Sequence, residues 1–232
     1  MKIAGTTALV TGANRGFGRA LAAELLARGA TVYTGARDPG SVDLPGAIPV
    51  ALDITDPASI SAAAARIGDL TLLVNNAGSA PAADLLTGDI DVIRGEFETH
   101  VFGTLAVTRA FAPRIVANGG GSILNVLSVL SWLSFPHYGA YSAAKSAEWS
   151  MTNALRLQLA GDGVHVAGLH VGYMDTDMVR GVDAPKSSPA DIARIAVDGI
   201  EADLPEILAD DISRAVQAGL AGGVAALYPA SA

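Results

Sequence analysis

A glycine-rich turn between a predicted strand and a predicted helix constrains the fold more than any other feature of the sequence. The β-rich run 6–10 leads directly into the segment 11–18, TGANRGFG, and a helical pattern of leucines follows and ends at Gly29. Glycines in this context let the backbone turn tightly and let a phosphate group approach the free N–H groups of the helix N-terminus. Such a turn alone is also typical of ordinary loops, but between a strand and a helix it predicts a dinucleotide phosphate site.

The alternation of strand and helix continues along the chain. Residues 70–74, LTLLV, form a run that is apolar except for its threonine, as expected of a parallel strand that is buried on both faces. We therefore predict an α/β fold with one doubly wound parallel β-sheet flanked by helices on both faces. No internal repeat or linker is present, so residues 1–232 are expected to form a single domain, with a short substrate loop at about residues 173–188. Further strands are predicted at residues 30–35, 48–52, 164–171 and 206–208 and before residue 128, and long helices at residues 91–117 and 139–160.

The composition excludes several classes of function. The chain has 15 basic and 23 acidic residues, its net charge is −8 and its basic residues are scattered, so nucleic acid and anionic membrane surfaces are not expected partners. It has no cysteine, which excludes disulfides and thiolate metal sites, and no metal site is predicted. The N-terminal residues run straight into the first strand, and no apolar run approaches the ~18 residues of a membrane span. A soluble, cytoplasmic protein is expected.

A second group of residues, in the segment 128–145, has the chemistry of an acid/base site. Tyr141 and Lys145 are four residues apart, so on a helix they lie one turn apart on the same face. A free tyrosine has a pKa near ~10, and a nearby ammonium group favours the phenolate and lowers that pKa. Ser128 ends a predicted strand and places a hydroxyl where it can bond a substrate oxygen beside the phenol. The Tyr–Lys pair alone is also typical of a solvated helix face, so this interpretation depends on the rest of the chain.

The end of the second predicted strand bears on the choice of dinucleotide. In dinucleotide folds an acidic side chain at this position binds the adenosine ribose, whereas an arginine accommodates a 2′-phosphate. Ala36 supplies no acid here, while Arg37 and Arg15 each supply a cation. Asp38 leaves the choice open, because it can reach the ribose or merely begin the turn at Asp-Pro. NADP(H) is the preferred cofactor, and NAD(H) remains the alternative.

Together these residues resemble the short-chain dehydrogenase/reductase superfamily, and the resemblance covers nearly the whole chain. The matching motifs are TGANRGFG at 11–18, Asp53, NNAG at 75–78, Ser128, Tyr141, Lys145 and Thr176. The resemblance implies a Rossmann-type sheet with the substrate above the C-terminal ends of the strands. It also implies an oxidoreductase that interconverts a carbonyl group and an alcohol, similar to the NADP-preferring carbonyl reductase-like members of the family.

The resemblance assigns roles residue by residue. It makes Ser128, Tyr141 and Lys145 catalytic, and Lys145 also holds the nicotinamide ribose. Asp53 is then the residue beside the adenine, and Thr176 bonds the nicotinamide carboxamide. The full set of implied cofactor-binding residues is Thr11, Gly12, Asn14, Arg15, Gly16, Phe17, Gly18, Ala36, Arg37, Asp53, Ile54, Asn75, Ala77, Gly78, Tyr141, Lys145, Gly172, Met174 and Thr176.

Two positions depart from the pattern of the family. Where the family usually has asparagine in its long helix, this chain has His100, whose main-chain carbonyl can still hold a water on the proton path to the lysine. His100 is therefore taken as a fourth catalytic residue, and a packed helix histidine without a catalytic part is the alternative. Where the family usually has Pro-Gly after the penultimate strand, this chain has Val171 and Gly172, which leaves the shape of that turn open.

The expected reaction is hydride transfer from the nicotinamide to a carbonyl carbon. Tyr141 donates a proton to the carbonyl oxygen, and Ser128 stabilises the charge that develops there. The alternatives are an NAD-dependent alcohol dehydrogenase of the same fold and a dinucleotide-binding sensor without turnover. A homodimer or homotetramer is expected from the apolar faces of helices 91–117 and 139–160, and residues 178–188 are a candidate lid. Apolar and aromatic residues are predicted to line a site for a hydrophobic or aromatic carbonyl substrate, namely Val129, Leu130, Trp132, Leu133, Phe135, Tyr138, Tyr173 and Met178.

Overall fold

Seven parallel strands form one sheet in the computed structural model, which describes residues 1–228. The strands are β1 (Thr7–Thr11), β2 (Thr31–Ala36), β3 (Ile48–Ala51), β4 (Leu72–Asn75), β5 (Gly121–Val126), β6 (Val164–His170) and β7 (Glu206–Leu208). Their order across the sheet is β3-β2-β1-β4-β5-β6-β7, and every neighbouring pair is parallel. The chain builds the sheet outward from β1 in one direction and then from β4 in the other, which confirms the predicted Rossmann-type, doubly wound fold.

Helices connect these strands and cover both faces of the sheet. They are α1 (Gly16–Ala27), α2 (Pro57–Arg66), α3 (Ile90–Phe97), α4 (Thr104–Ala117), α5 (Gly139–Leu159), α6 (Pro189–Glu201), α7 (Asp211–Gly219) and α8 (Gly223–Leu227). The long helix predicted at 91–117 is interrupted, because a π-helical stretch, Glu98–Gly103, separates α3 from α4. The sequence pattern does not predict α7 and α8, of which only Ser213 is buried. Of the helices within residues 1–228, none has the length and apolar character that a membrane span requires.

Two hydrophobic clusters lie on opposite faces of the sheet. Leu9 and Val10 are neighbours on β1 and both are fully buried, but they belong to different clusters because successive strand residues point to opposite faces. One cluster packs the strands against α1 and α6, and the other packs them against α2, α4 and α5. Since both faces are covered, the sequence of β4 is apolar without alternation.

The topology brings the predicted site residues to one edge of the sheet. The C-terminal ends of parallel strands lie at the same edge, and the strand order reverses between β1 and β4. The glycine-rich turn follows β1, the segment 75–78 begins at the last residue of β4, and Ser128 comes two residues after β5. Residues that are far apart in the sequence therefore surround one cleft above this edge.

Candidate active site

Three glycines shape the turn between β1 and α1. Gly12 has a φ of +64°, and a Cβ at this position would lie 2.8 Å from the Cα of Ala77. A Cβ on Gly18 would lie 2.4 Å from the main-chain oxygen of Gly12, which is closer than van der Waals contact permits. Gly16, with a φ of +54°, is the first residue of α1, and the side chain of Arg15 does not cap the helix. The first N–H groups of α1 are therefore left for another acceptor.

Hydrogen bonds tie the glycine turn to the segment that follows β4. The Thr11 hydroxyl oxygen accepts from the N–H groups of Asn76 (2.9 Å) and Ala77 (3.0 Å). The Asn76 amide donates in return to the main-chain oxygens of Thr11 (2.9 Å) and Gly12 (3.2 Å). Asn76 is not among the predicted site residues, although its place between two of them was a signal. Its side chain fixes the distance between the two loops.

Two residues predicted to bind the cofactor direct their side chains into the interior. Asn75 is buried, and its amide donates to the side-chain oxygens of Asn125 (2.8 Å) and Thr108 (3.1 Å). Asn125 in turn donates to the hydroxyl of Thr152 at 2.8 Å, so this network joins β4, β5, α4 and α5 below the cleft. Phe17 is packed in the core. Of the predicted roles of Asn75, support of the sheet is the one that its side chain fits. Phe17 can bind the cofactor only through its main-chain N–H.

The end of β2 presents an exposed cation beside an engaged carboxylate. Arg37 is exposed. The carboxylate of Asp38 accepts from the N–H of Gly40 at 2.9 Å and caps a short 3-10 turn. The Ser41 hydroxyl in this turn accepts from the Asn14 amide at 3.2 Å, which places Asn14 beside it. This geometry favours the interpretation in which Asp38 begins a turn over the one in which it binds the ribose.

Asp53 follows β3 and is held as a carboxylate. Its Oδ1 accepts from the hydroxyl (2.7 Å) and from the N–H (2.9 Å) of Thr55. These two hydrogen bonds, with a smaller contribution from Arg37, hold the pKa of Asp53 below its usual value. Asp53 is half-buried, whereas Ile54 and Ala36 beside it belong to the core. Asp53 is thus an anionic acceptor, which suits the amino group of an adenine ring.

The main chain and the hydroxyl of Ser128 are both fixed. Its Oγ accepts from the N–H of Leu130 at 3.1 Å, and the Ser131 hydroxyl accepts from the N–H of Ser128 at 3.3 Å. The Ser128 carbonyl accepts from Nδ1 of His170 at 3.2 Å. The His170 ring stacks on Trp132, with 3.6 Å between the ring centroids. The hydroxyl of Ser128 accepts this bond and keeps one proton to donate, and the phenol of Tyr141 is within its reach.

His170 should make the stability of the protein depend on pH. Burial lowers the pKa of His170 from 6.5 to about 4, although its bond to the Ser128 carbonyl acts in the opposite direction. The unfolded chain takes up a proton below pH ~6.5 and the folded chain only near pH ~4, so the free energy of unfolding should fall by about 3 kcal/mol in total as the pH decreases through this range. Urea unfolding at a series of pH values measures the loss. His170→Phe should reduce the slope, and an unchanged slope in this variant would contradict the assignment.

Tyr141 and Lys145 lie one turn apart on α5, as the spacing predicts. The Nζ of Lys145 donates to the main-chain oxygen of Val126 (2.7 Å) and to Oε2 of Glu148 (2.7 Å), and it lies 5.8 Å from the centre of the Tyr141 ring. Burial by itself lowers the pKa of Lys145, but the charge of Glu148, with help from Tyr141 and a hydrogen bond, raises the pKa above its usual value. Lys145 is therefore an ammonium group at neutral pH.

The pKa of Tyr141 corrects an expectation from the sequence. Burial raises this pKa, and it outweighs the lowering by Lys145 and by a hydrogen bond with Ser128. The carboxylates of Glu148 and Glu96 add to the rise. The pKa of Tyr141 therefore lies above its usual value, so the expectation of a lowered pKa was wrong, although Lys145 acts in the expected direction. At neutral pH the residue is a phenol, which is the form that donates a proton.

His100 lies in the π-helical stretch and packs against the phenol. The rings of His100 and Tyr141 meet edge to face, with centroids 5.2 Å apart and an angle of 85° between planes. Nε2 of His100 donates to the main-chain oxygen of Ser79 at 2.7 Å. A Cβ on Gly78 would lie 2.6 Å from the His100 ring, so glycine at this position makes room for the imidazole. π-helical turns are frequent at functional sites, and this one lies where a residue of the family pattern is replaced.

The loop after β6 returns to the glycine turn. The N–H of Gly172 donates to Oδ2 of Asp210 at 2.7 Å, so a carboxylate holds the turn that has valine in place of the usual proline. A Cβ on Gly16 would lie 3.5 Å from the methyl group of Thr176, so the two residues are neighbours. Met174 packs partly against the core. The predicted cofactor-binding residues of the two segments are thus brought together.

The predicted substrate-facing residues divide into an interior and an accessible group. Val129, Leu130 and Trp132 are buried. Trp132 is enclosed between the rings of His170 and Trp149, so its interpretation as a pocket wall was wrong. The half-buried and exposed members are Leu133, Phe135, Tyr138, Tyr173 and Met178.

The fold and the site together define the class of the protein. A doubly wound parallel sheet, a glycine turn at its switch point and a Ser–Tyr–Lys group above the strand ends are typical of oxidoreductases that use a dinucleotide. A profile of the short chain dehydrogenase family matches residues 6–187. The chain belongs to this family, and it is an oxidoreductase that acts on CH–OH and C=O groups with NAD or NADP.

Relatives of this chain include proteins whose solved structures hold different dinucleotides. Sorbitol dehydrogenase of Cereibacter sphaeroides is 35% identical over 198 residues, which are 79% of this chain and 76% of the relative. A short chain dehydrogenase from Burkholderia cenocepacia J2315, solved in complex with NADP, is 37% identical with a TM-score of 0.92, covering 96% of this chain and 95% of that chain. A 3-ketoacyl-(acyl-carrier-protein) reductase from Brucella melitensis, solved with NADH, is 27% identical with a TM-score of 0.80, and the match covers 87% of this chain and 94% of that chain. The choice between NAD and NADP therefore depends on the residues of this chain.

Proposed function

We propose that this enzyme uses NADP(H) to reduce a hydrophobic or aromatic ketone or aldehyde to the alcohol. The observation that carries the choice of dinucleotide is at the end of β2, where Arg37 is exposed and the Asp38 carboxylate is bonded to the N–H of Gly40. A guanidinium group suits a 2′-phosphate, and the Asp38 carboxylate, with one oxygen bonded in its own turn, keeps a single oxygen for a ribose hydroxyl. Arg15 is a second exposed cation and has only a loose ion pair, at 3.7 Å, with Asp177.

The residues of the cleft fit a dinucleotide. The approach of Gly12 and Gly18 to their neighbours leaves no space for side chains, so the backbone itself forms the surface beside the first turn of α1. NADP(H), when bound, supplies the hydride. The free N–H groups of α1 would hold its pyrophosphate, and Asp53, Lys145 and Thr176 would hold its adenine, nicotinamide ribose and carboxamide.

The side chains above the sheet supply the proton and stabilise charge. Tyr141 donates its phenol proton to the carbonyl oxygen of the substrate as this oxygen becomes an alkoxide. The hydroxyl of Ser128 donates a hydrogen bond to the same oxygen, since accepting from the N–H of Leu130 does not use its proton. The buried ammonium of Lys145 stabilises the phenolate that Tyr141 becomes. We propose the same three residues for the reverse reaction.

A cofactor and substrate panel tests this function. Protein is incubated with NADPH or NADH and a series of aromatic ketones, aldehydes and diketones, and separately with NADP or NAD and a series of alcohols and polyols, and the nicotinamide absorbance is followed. We expect consumption of NADPH, with kcat/KM at least roughly tenfold above that with NADH. Preference for NAD with oxidation of a polyol would support the alternative alcohol dehydrogenase, which the similarity to sorbitol dehydrogenase favours. Binding of NADPH without consumption across the panel would support the sensor.

Arg37→Ala should weaken the binding of NADPH by about tenfold or more and leave that of NADH unchanged. The reason is that only NADPH carries the 2′-phosphate. Calorimetric titration of both dinucleotides measures the two dissociation constants. Arg66→Ala, which removes an exposed arginine from α2, is the matched control. Equal losses for NADPH and NADH would contradict the assignment of Arg37.

We also propose that the single domain 1–232 acts in the cytoplasm as a homodimer or homotetramer. Phe102 and Leu157, on the helices predicted to associate, are 54% and 81% exposed and support this proposal. A monomeric mass by light scattering would count against it.

A further inference from the structure

A row of ionisable side chains runs from Lys145 into the interior beside the cleft. Glu96, His100 and Glu148 are at most 2% exposed, and Lys145 is 5% exposed. The Nζ of Lys145 lies 2.7 Å from Oε2 of Glu148, and this oxygen lies 3.9 Å from Nδ1 of His100. On the other side of the ring, Nε2 of His100 lies 3.6 Å from Oε2 of Glu96. The half-buried Ser79 donates to the second oxygen of Glu96 at 2.7 Å and ends the row.

Two atoms of this row are buried without a hydrogen-bond partner in the part of the chain that the structure describes. They are Oε2 of Glu96 and Nδ1 of His100, the atoms that border the two wider gaps. One ammonium group does not balance two buried carboxylates, and an unbalanced buried charge is costly. The row is thus a buried ionisable cluster, and it contacts the ring of Tyr141 through His100.

We propose that Glu148 is a positioning residue of the active site. It holds the ammonium of Lys145 in a buried ion pair. Together with Glu96, on the other side of His100, it sets the electrostatic potential in which Tyr141 releases and regains its proton. The proposal rests on the proposed function, in which Tyr141 is the proton donor. Glu148 acts through Lys145, because its bond to Nζ competes with the attraction of the ammonium for a phenolate. This arrangement keeps Tyr141 a phenol, the form that reduction of a carbonyl needs.

The pKa shifts of the groups around Glu148 have the sign that this role requires. Both Glu148 and Glu96 raise the pKa of Tyr141, and the effect of Glu148 is the larger. Glu148 also raises the pKa of Lys145 against the opposing effect of burial. Within residues 1–228, the ionisable groups around the Glu148–Lys145 pair are Tyr141 on α5, Glu96 on α3, His100 in the π-helical stretch and His170 on β6, whose pKa of about 4 leaves it uncharged at neutral pH.

Direct titration of Tyr141 by NMR tests the proposal. The chain has five tyrosines, so ¹³C-labelled tyrosine gives few signals, and Tyr141→Phe identifies the one of interest. In Glu148→Gln the Tyr141 signal should titrate about one pH unit lower than in the wild type, because a nearby negative charge has been removed. Glu96→Gln should shift it in the same direction by less. Glu98→Gln, which removes an exposed carboxylate two residues from Glu96, should leave it unchanged.

The outcomes separate positioning from mere structural support. In Glu148→Asp the charge is kept, so the titration should return toward that of the wild type. A folded Glu148→Gln protein, judged by circular dichroism and Tm, with an unchanged Tyr141 titration overturns the proposal. If this variant does not fold, Glu96→Gln carries the same test, and an unchanged titration there overturns it. The measurement needs neither cofactor nor substrate, so a failed substrate panel would refute the proposed function without altering this result.

Discussion

Tyr141→Phe is expected to lower kcat by about 10³-fold or more and to change the dissociation constant of NADPH by less than about threefold. The substitution removes one hydroxyl group and keeps the ring that meets His100 edge to face. Ser128 and Lys145 still polarise the substrate oxygen, but neither replaces the phenol as the proton donor. The loss should therefore fall on the chemical step and not on binding of the cofactor.

Stopped-flow turnover with NADPH and calorimetric titration of NADPH measure the two effects of this substitution separately. Tyr33→Phe is the matched control, since it makes the same chemical change in a half-buried tyrosine on β2. It should keep kcat within about twofold of the wild type. A Tyr141→Phe enzyme that retains a tenth of the activity would refute the assignment of the proton donor.

The parts of the fold that could be predicted are those with local signals. The glycine turn at 11–18 and the strand at Glu206–Leu208 were recognised from short patterns, and the structure confirms the sheet that they imply. The π-helical stretch Glu98–Gly103 was not predicted, because one continuous period of apolar residues crosses it. The end of the chain was also missed, since α7 is held by the cap of Asp210 rather than by buried apolar side chains.

The electrostatics of the site could not be predicted, because they depend on burial and on contacts between distant segments. Glu96 and Glu148 belong to different helices, and nothing local distinguishes them from exposed carboxylates such as Glu98. The sequence correctly placed Tyr141 and Lys145 on one helix face. The i,i+3 spacing of Lys145 and Glu148 on this helix was a local signal of their contact that we did not use. Nothing local showed that burial raises the pKa of Tyr141. Spacing predicts which groups meet within a helix, whereas the sign of a pKa shift requires the tertiary structure.

Lys145→Met is expected to lower the free energy of unfolding by about 3–5 kcal/mol and to abolish turnover. Methionine fills a similar volume but removes the ammonium group, and two acceptors at 2.7 Å, the main-chain oxygen of Val126 and Oε2 of Glu148, lose their partner. The large cost comes from leaving the Glu148 carboxylate buried and unpaired. Urea unfolding at neutral pH, read by tryptophan fluorescence, measures the change.

The origin of this cost can be isolated with two further variants. In the double variant Lys145→Met/Glu148→Met the carboxylate is also removed, so most of the lost stability should return, because an apolar pair of similar volume replaces a buried ion pair at little cost. Turnover should not return, since the ammonium beside Tyr141 is still absent. Arg94→Met breaks an ion pair of the same i,i+3 spacing with Asp91 in which both side chains are at least 69% exposed, and it should cost no more than about 1 kcal/mol. Two results would show that the buried Lys145–Glu148 pair is not the source of this stability. One is a loss of unfolding free energy in Lys145→Met as small as that in Arg94→Met, and the other is a double variant as unstable as Lys145→Met alone.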